Sequence, residues 1–105
     1  LTCVPGEHGA VAVGQWEGGR TGIAKANVRA HWGYGFTLWR DKADAPGVVD
    51  AAYIYPALLE RIRDFILTGR PPVDPEESVE MVAFMEAANE SMAQDGKPVA
   101  LKRPA

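Results

Sequence analysis

The sequence predicts an α+β fold: an antiparallel open sheet, a meander of three to four strands plus a short C-terminal strand, with two helices packed on one face. Three observations predict it. Residues 22–31 alternate small apolar and polar side chains, the period of a strand covered on one side. The stretch from Pro56 to Gly69 and the one from Pro75 to Gly96 repeat apolar residues at helical spacing between clear start and stop signals. Turn-forming residues separate the strand-like runs, which places the strands before the helices.

The elements follow in order. Gly9 to Trp16 (GAVAVGQW) is the first strand candidate. The Gly18-Gly19 pair after it signals a hairpin, because both positions tolerate positive φ. In residues 22–31, Ala24, Ala26, Val28 and Ala30 point one way and Lys25, Asn27, Arg29 and His31 the other. The small row is the natural seat for helices; the polar row reads as a solvated face or a meeting surface for a second subunit. Trp32-Gly33 makes a corner, and Tyr34 to Arg40 is an aromatic, β-branched third strand. Residues 41–47 read as a loop and 48–54 as a fourth strand.

Pro56 opens the first helix, and Leu58, Leu59, Ile62, Phe65 and Ile66 form its stripe. Arg61 and Asp64 are spaced to pair. Gly69 fits a left-handed stop and Pro71-Pro72 forbid continuation. Asp74, Pro75 and Glu77 are placed as N-cap, N1 and N3 of the second helix, a capping box. Val79, Val82, Ala83, Phe84, Met85, Ala87, Ala88 and Met92 cover a wide face, which predicts burial on more than one side. Gly96 and Pro98 end this helix, and residues 99–101 form a closing strand.

With 105 residues, the chain is the size of a single domain. Net charge is −3 and the pI about 5.3, without the basic footprint of a nucleic-acid or anionic-membrane partner. No apolar run approaches the roughly 18 residues of a membrane span, and no signal peptide is expected. The first residue is Leu1, which suggests a fragment or processed product, and the expected compartment is the cytoplasm. Cys3 is the sole cysteine, so no internal disulfide can form.

The candidate chemistry is sparse. His8 and His31 lack partners at zinc-ligand spacing, so no metal site is expected. Glu90 and Asp95 have no reason to meet across a cleft. Met81, Met85 and Met92 read as core filling, and Arg20 and Arg70 as loop cations. Ser78 and Ser91 fall within a helix without a placed base.

One resemblance runs through the tail. Phe65-Ile-Leu-Thr-Gly-Arg-Pro-Pro-Val is followed by Asp74-Pro-Glu-Glu-Ser, Ala87-Ala-Asn-Glu-Ser91 and Asp95-Gly-Lys-Pro-Val99. In that order the stretch 53–101 resembles the C-terminal domain of the glucose–fructose oxidoreductase / inositol dehydrogenase / MocA family. Gly14-Gln-Trp-Glu-Gly-Gly-Arg-Thr-Gly22 and Tyr34-Gly-Phe resemble its sheet strands more loosely. The resemblance implies NAD or NADP as cofactor of a parent enzyme acting on sugars or polyols. It also implies a separate N-terminal dinucleotide-binding domain and a homo-oligomer through the open sheet face. The family's Gly-x-Gly-x-x-Gly, Glu-Lys-Pro and Asp-x-x-x-His motifs are absent here; Gly33-Tyr-Gly-Phe-Thr-Leu38 copies only half of the first. No catalytic, cofactor-binding or metal residue is therefore expected in this chain, which alone should be inactive. Trp32-Gly33-Tyr34 is similar to the family's aromatic corner, implying Tyr34 and Trp32 as substrate-side residues; sheet packing is the competing reading. Lys25, Asn27, Arg29 and His31 are the expected interface. The alternative function is a standalone α+β module that binds a ligand or protein.

Overall fold

The computed structural model describes residues 1–28 and 33–102. It has the α+β class expected, with five antiparallel strands in two sheets and two α-helices among the described residues. The chain divides into two compact units, one of residues 1–30 and 73–105, the other of residues 31–72.

The first unit is a meander of β1 (Thr2–Gly6), β2 (Gly9–Gln15) and β3 (Thr21–Asn27), in that order. β1 is an added strand: the apolar alternation of Thr2 to Gly6 is interrupted by Pro5, which sits at an edge strand and so costs no ladder bond. It takes the third place in the meander that residues 34–40 were expected to fill. Gly18 and Gly19 turn β2 into β3 with φ of 89° and 85°, which side-chain-bearing residues rarely adopt. β3 ends at Asn27; the expected continuation through Arg29, Ala30 and His31 lies outside the described residues.

Opposite partners in the ladder share a face of the sheet. Cys3 pairs with Ala12 and Ala12 with Ala24, while Gly14 pairs with Gly22. Helix α2 (Pro75–Ala93) packs against β1 on this face of small residues. Its contact line is Ala83, Ala87 and Ser91, buried at every fourth position. α2 is thus buried along one seam, not on several sides as the apolar composition suggested. Val82, Met81 and Met85 are at least half exposed, so the first two methionines do not fill a core. The seam is narrow because small side chains let helix and sheet backbones approach. The Asp74 carboxylate accepts the Glu76 N–H at 3.0 Å, with Pro75 in the first turn. The capping box is half formed, since Glu77 does not bond back to Asp74.

Ser91 clips the unit together. Its fully buried hydroxyl accepts the Cys3 N–H at 2.9 Å and donates to the Lys97 carbonyl at 2.7 Å. The tail then meets β1: Val99 N–H donates to the Leu1 carbonyl at 2.8 Å, and the Leu1 amino group to the Val99 carbonyl at 2.7 Å. Val99 alone makes this contact, and residues 99–101 do not form the closing strand expected of them.

The second unit contains β4 (Tyr34–Trp39) paired with β5 (Asp44–Val49), a 3-10 turn (Ala51–Tyr53) and α1 (Ile54–Thr68). β5 occupies much of what reads as a loop, Pro46 and Gly47 included. Both strands of a two-stranded sheet are edges, so Pro46 opposite Thr37 is tolerated. A Cβ on Gly47 would lie 2.4 Å from the Phe36 ring, so glycine makes room for it. The fourth strand expected at 48–54 stops at Val49. α1 starts two residues before Pro56, which falls at its third position, where its missing N–H is still not needed. Gly69 caps α1 in the left-handed region, giving its N–H to the Phe65 carbonyl at 2.8 Å. Asp64 pairs with Arg63 rather than Arg61, because the neighbouring guanidinium reaches Oδ1 through both Nε and a terminal nitrogen. That hydrogen bond, and then the carboxylate's charge, raise the Arg63 pKa above its usual value. No residue of α1 is buried; Leu58, Leu59, Ile62, Phe65 and Ile66 are 43–75% exposed.

Candidate functional site

Within the first unit, α2 packs on one face of the three-stranded sheet and no element of that unit packs on the opposite face. Val11 pairs with Val4 and Lys25, and Val13 with Thr2 and Ile23, so these side chains share that face. Val4, Val11, Val13 and Ile23 are 37–63% exposed there. The polar row of β3 therefore does not describe the whole face: cross-strand valines stand beside Lys25, and the surface is apolar with a cationic margin. Lys25 and Asn27, both expected at an interface, lie on it and are exposed. Arg29 and His31, expected in the same row, lie outside the described residues.

At the Asn27 end, a recess of about 400 Å³ is lined by Val4, His8, Val11 and Lys25, with Asn27 at its end. His8 sits in the β1–β2 turn, exposed, 3.8 Å from Glu7. No group of three metal-ligating side chains occurs among the described residues.

A second constellation, which the sequence reading did not assemble, lies at the other end of the sheet. Trp16 stacks on Phe84 of α2, rings parallel to within 5° and centroids 6.0 Å apart. Its indole N–H donates to Glu80 at 2.7 Å. Gly14 and Gly22 leave the space for this: a Cβ on Gly14 would meet Phe84 at 2.9 Å and Trp16 at 3.0 Å, and one on Gly22 would meet Trp16 at 3.0 Å. Gln15, Glu17, Arg20 and Glu80 line a recess of about 460 Å³ beside the indole, with Leu101 as its apolar wall. The signal in the sequence was the glycine pair flanking Trp16. Arg20, read as a loop cation, is part of this lining.

The remaining candidates are dispersed. Tyr34 opens β4 opposite Val49 and is 55% exposed; its companion Trp32 lies outside the described residues. Glu90 pairs with Lys102 at 3.2 Å and accepts from Gln94 at 3.4 Å, and neither contact involves Asp95. Ser91 is a structural clip, and Cys3 is buried in the sheet. Among the described residues no helix is long and apolar enough to cross a membrane. Searches of family models, curated proteins and solved structures found no match to this chain.

Proposed function

We propose that the chain is the substrate-side and oligomerisation part of an NAD(P)-dependent sugar or polyol oxidoreductase, of the glucose–fructose oxidoreductase / inositol dehydrogenase / MocA kind. In this reading a separate dinucleotide-binding domain holds the nicotinamide cofactor, and the assembled enzyme works in the cytoplasm. Tyr34 and Trp32 stand on the substrate side, and the sheet face carrying Lys25, Asn27, Arg29 and His31 meets a second subunit.

The observation that carries the reading is the ordered tail motif, whose residues form consecutive joints of the fold. Gly69 stops α1, Asp74 starts α2, and Ser91 ties α2 to β1 and to Lys97. The exposed valine face fits the oligomer role, since apolar surface of that kind marks contact sites. The chain alone should leave NADH fluorescence unchanged up to millimolar concentrations. Micromolar binding would contradict the placement of the cofactor site elsewhere. Sequencing the gene upstream of the Leu1 codon supplies the second check: a reading frame carrying Gly-x-Gly-x-x-Gly and Glu-Lys-Pro supports the proposal.

The recess beside Trp16 favours one other reading, a module that binds a small polar ligand. It has the volume of a ligand pocket, an aromatic wall and both signs of charge. Quenching of Trp16 by a neutral monosaccharide, lost in Arg20→Ala, would support that reading.

A further inference from the structure

We propose that Asp95 is a site of spontaneous backbone modification, where closure onto Gly96 converts the aspartate to isoaspartate and undoes the Ser91 clip. Asp95-Gly96 is the sole Asp-Gly pair of the chain, and Asn-Gly does not occur. Every other aspartate precedes a residue with a side chain, which crowds the amide nitrogen that must attack.

Helix α2 stops at this pair. Asp95 N–H donates to the Met92 carbonyl at 3.3 Å and Gly96 N–H to the Ser91 carbonyl at 2.9 Å, the two bonds of a Schellman stop. That motif turns on one left-handed residue, ordinarily glycine. Here Asp95 takes the position, with φ 56°, alone in this among the described residues that carry a side chain. Gly96 follows at φ 81° and lies close to β1: a Cβ on it would be 3.3 Å from Val4 Cγ2 and 3.6 Å from the Cys3 carbonyl oxygen. Packing thus requires glycine after Asp95, and the reactive pair comes with it. The Asp95 carboxylate is exposed and makes no hydrogen bond or ion pair among the described residues, so none holds it away from the Gly96 nitrogen.

The step balances without a co-reactant. The Gly96 nitrogen attacks Cγ of the protonated Asp95 carboxyl. The amide proton and the carboxyl hydroxyl leave as water, and a succinimide closes. Water then adds back at one of the two ring carbonyls. Opening at the main-chain carbonyl leaves the chain running through Cβ and Cγ, with the former main-chain carbon as a free carboxylate. The bond that must yield first is Gly96 N–H to Ser91, and a hydrogen bond of this kind holds back an opening by about tenfold. Left-handed strain at Asp95 works in the opposite sense.

Isoaspartate lengthens the main chain by an atom within the segment that Ser91 spans. Ser91 holds Gly96 through its carbonyl and Lys97 through its hydroxyl, and the same hydroxyl accepts the Cys3 N–H. With Gly96 already against β1, the added atom has no room, and these bonds cannot all persist. The stop of α2 is where covalent ageing becomes loss of the first unit's packing.

Ageing the full chain at neutral pH, folded and in urea, tests the proposal. Isoaspartate is read by enzymatic methyl transfer and located by peptide mapping. It should accumulate at Asp95 alone in the folded chain, at a rate within about tenfold of the unfolded chain. Asp95→Glu, which would need a larger ring, should abolish it. The modified chain should unfold at lower urea than the unaged one, in the same direction as Ser91→Ala. A folded chain that keeps Asp95 intact while the unfolded chain converts overturns the proposal. So does a modified chain with an unchanged urea midpoint, which would separate the chemistry from the clip.

Discussion

The two compact units spend their apolar residues differently. In the first, few large side chains are involved: Cys3, Ala12, Ala83, Ala87 and Val99 are buried, and Ser91 is bonded on both sides. In the second, large ones abound and none of the described ones is buried, from Phe36, Leu38 and Trp39 on β4 to Leu59 and Ile66 on α1. The difference teaches that hydrophobicity alone does not make a core. Small residues at matching spacing let α2 lie on the sheet, and one hydroxyl satisfies the two backbone groups trapped there. A two-stranded sheet with a single helix has less to bury against, and isolated hairpins are marginal in water. The exposed stripe of α1 shows that apolar composition alone overstates burial in this unit.

The contrast can be broken most sharply at Ser91. Ser91→Ala leaves the Cys3 N–H and the Lys97 carbonyl without their partner, and should cost about 3 kcal/mol. Urea denaturation monitored by Trp16 fluorescence, with Trp32 and Trp39 replaced by Phe, reads this unit. A loss under about 0.5 kcal/mol would show that the clip is incidental. Ala87→Leu, which adds bulk to the 4%-exposed centre of the seam, should cost about 2 kcal/mol in the same melt. Asp74→Ala removes the α2 cap and should cost about 1 kcal/mol, with Asp74→Asn retaining most of it. At the small end, Ile66→Ala and Leu67→Ala, each at a 75%-exposed position, should change stability by less than about 0.5 kcal/mol. A cost above 2 kcal/mol at either would mean that the α1 stripe is covered in solution and that the two units are not so different.

Local chemistry was legible in the sequence wherever one residue decides the outcome. Asp74-Pro75 starts a helix, Gly69 stops one and Gly18-Gly19 turns a hairpin, each through a backbone preference that needs no distant partner. What the sequence hid depends on contacts far along the chain. Thr2 to Gly6 become a strand because β2 and the Ser91 clip receive them, 88 residues separating Cys3 from Ser91. Pro46 argued for a loop and stands in an edge strand. The Trp16–Glu80 bond joins residues 64 apart, and only the flanking glycines hinted that something large needed room. Lys25 and Asn27 alternate with Ala24 and Ala26 along β3, but a strand shows only its own share of a face, and the valines come from β1 and β2.

The central claim is that order follows the small-residue seam rather than the large apolar residues. Residue-resolved amide hydrogen exchange tests it directly. The account predicts strong protection at Cys3, at Ala12 and Ala24 in the β2–β3 ladder, and through Ala83 to Ser91 in α2. Weak protection is expected across Tyr34–Trp39 and Ile54–Thr68. Equal or greater protection in β4 and α1 than in the Ser91-clipped sheet would contradict it.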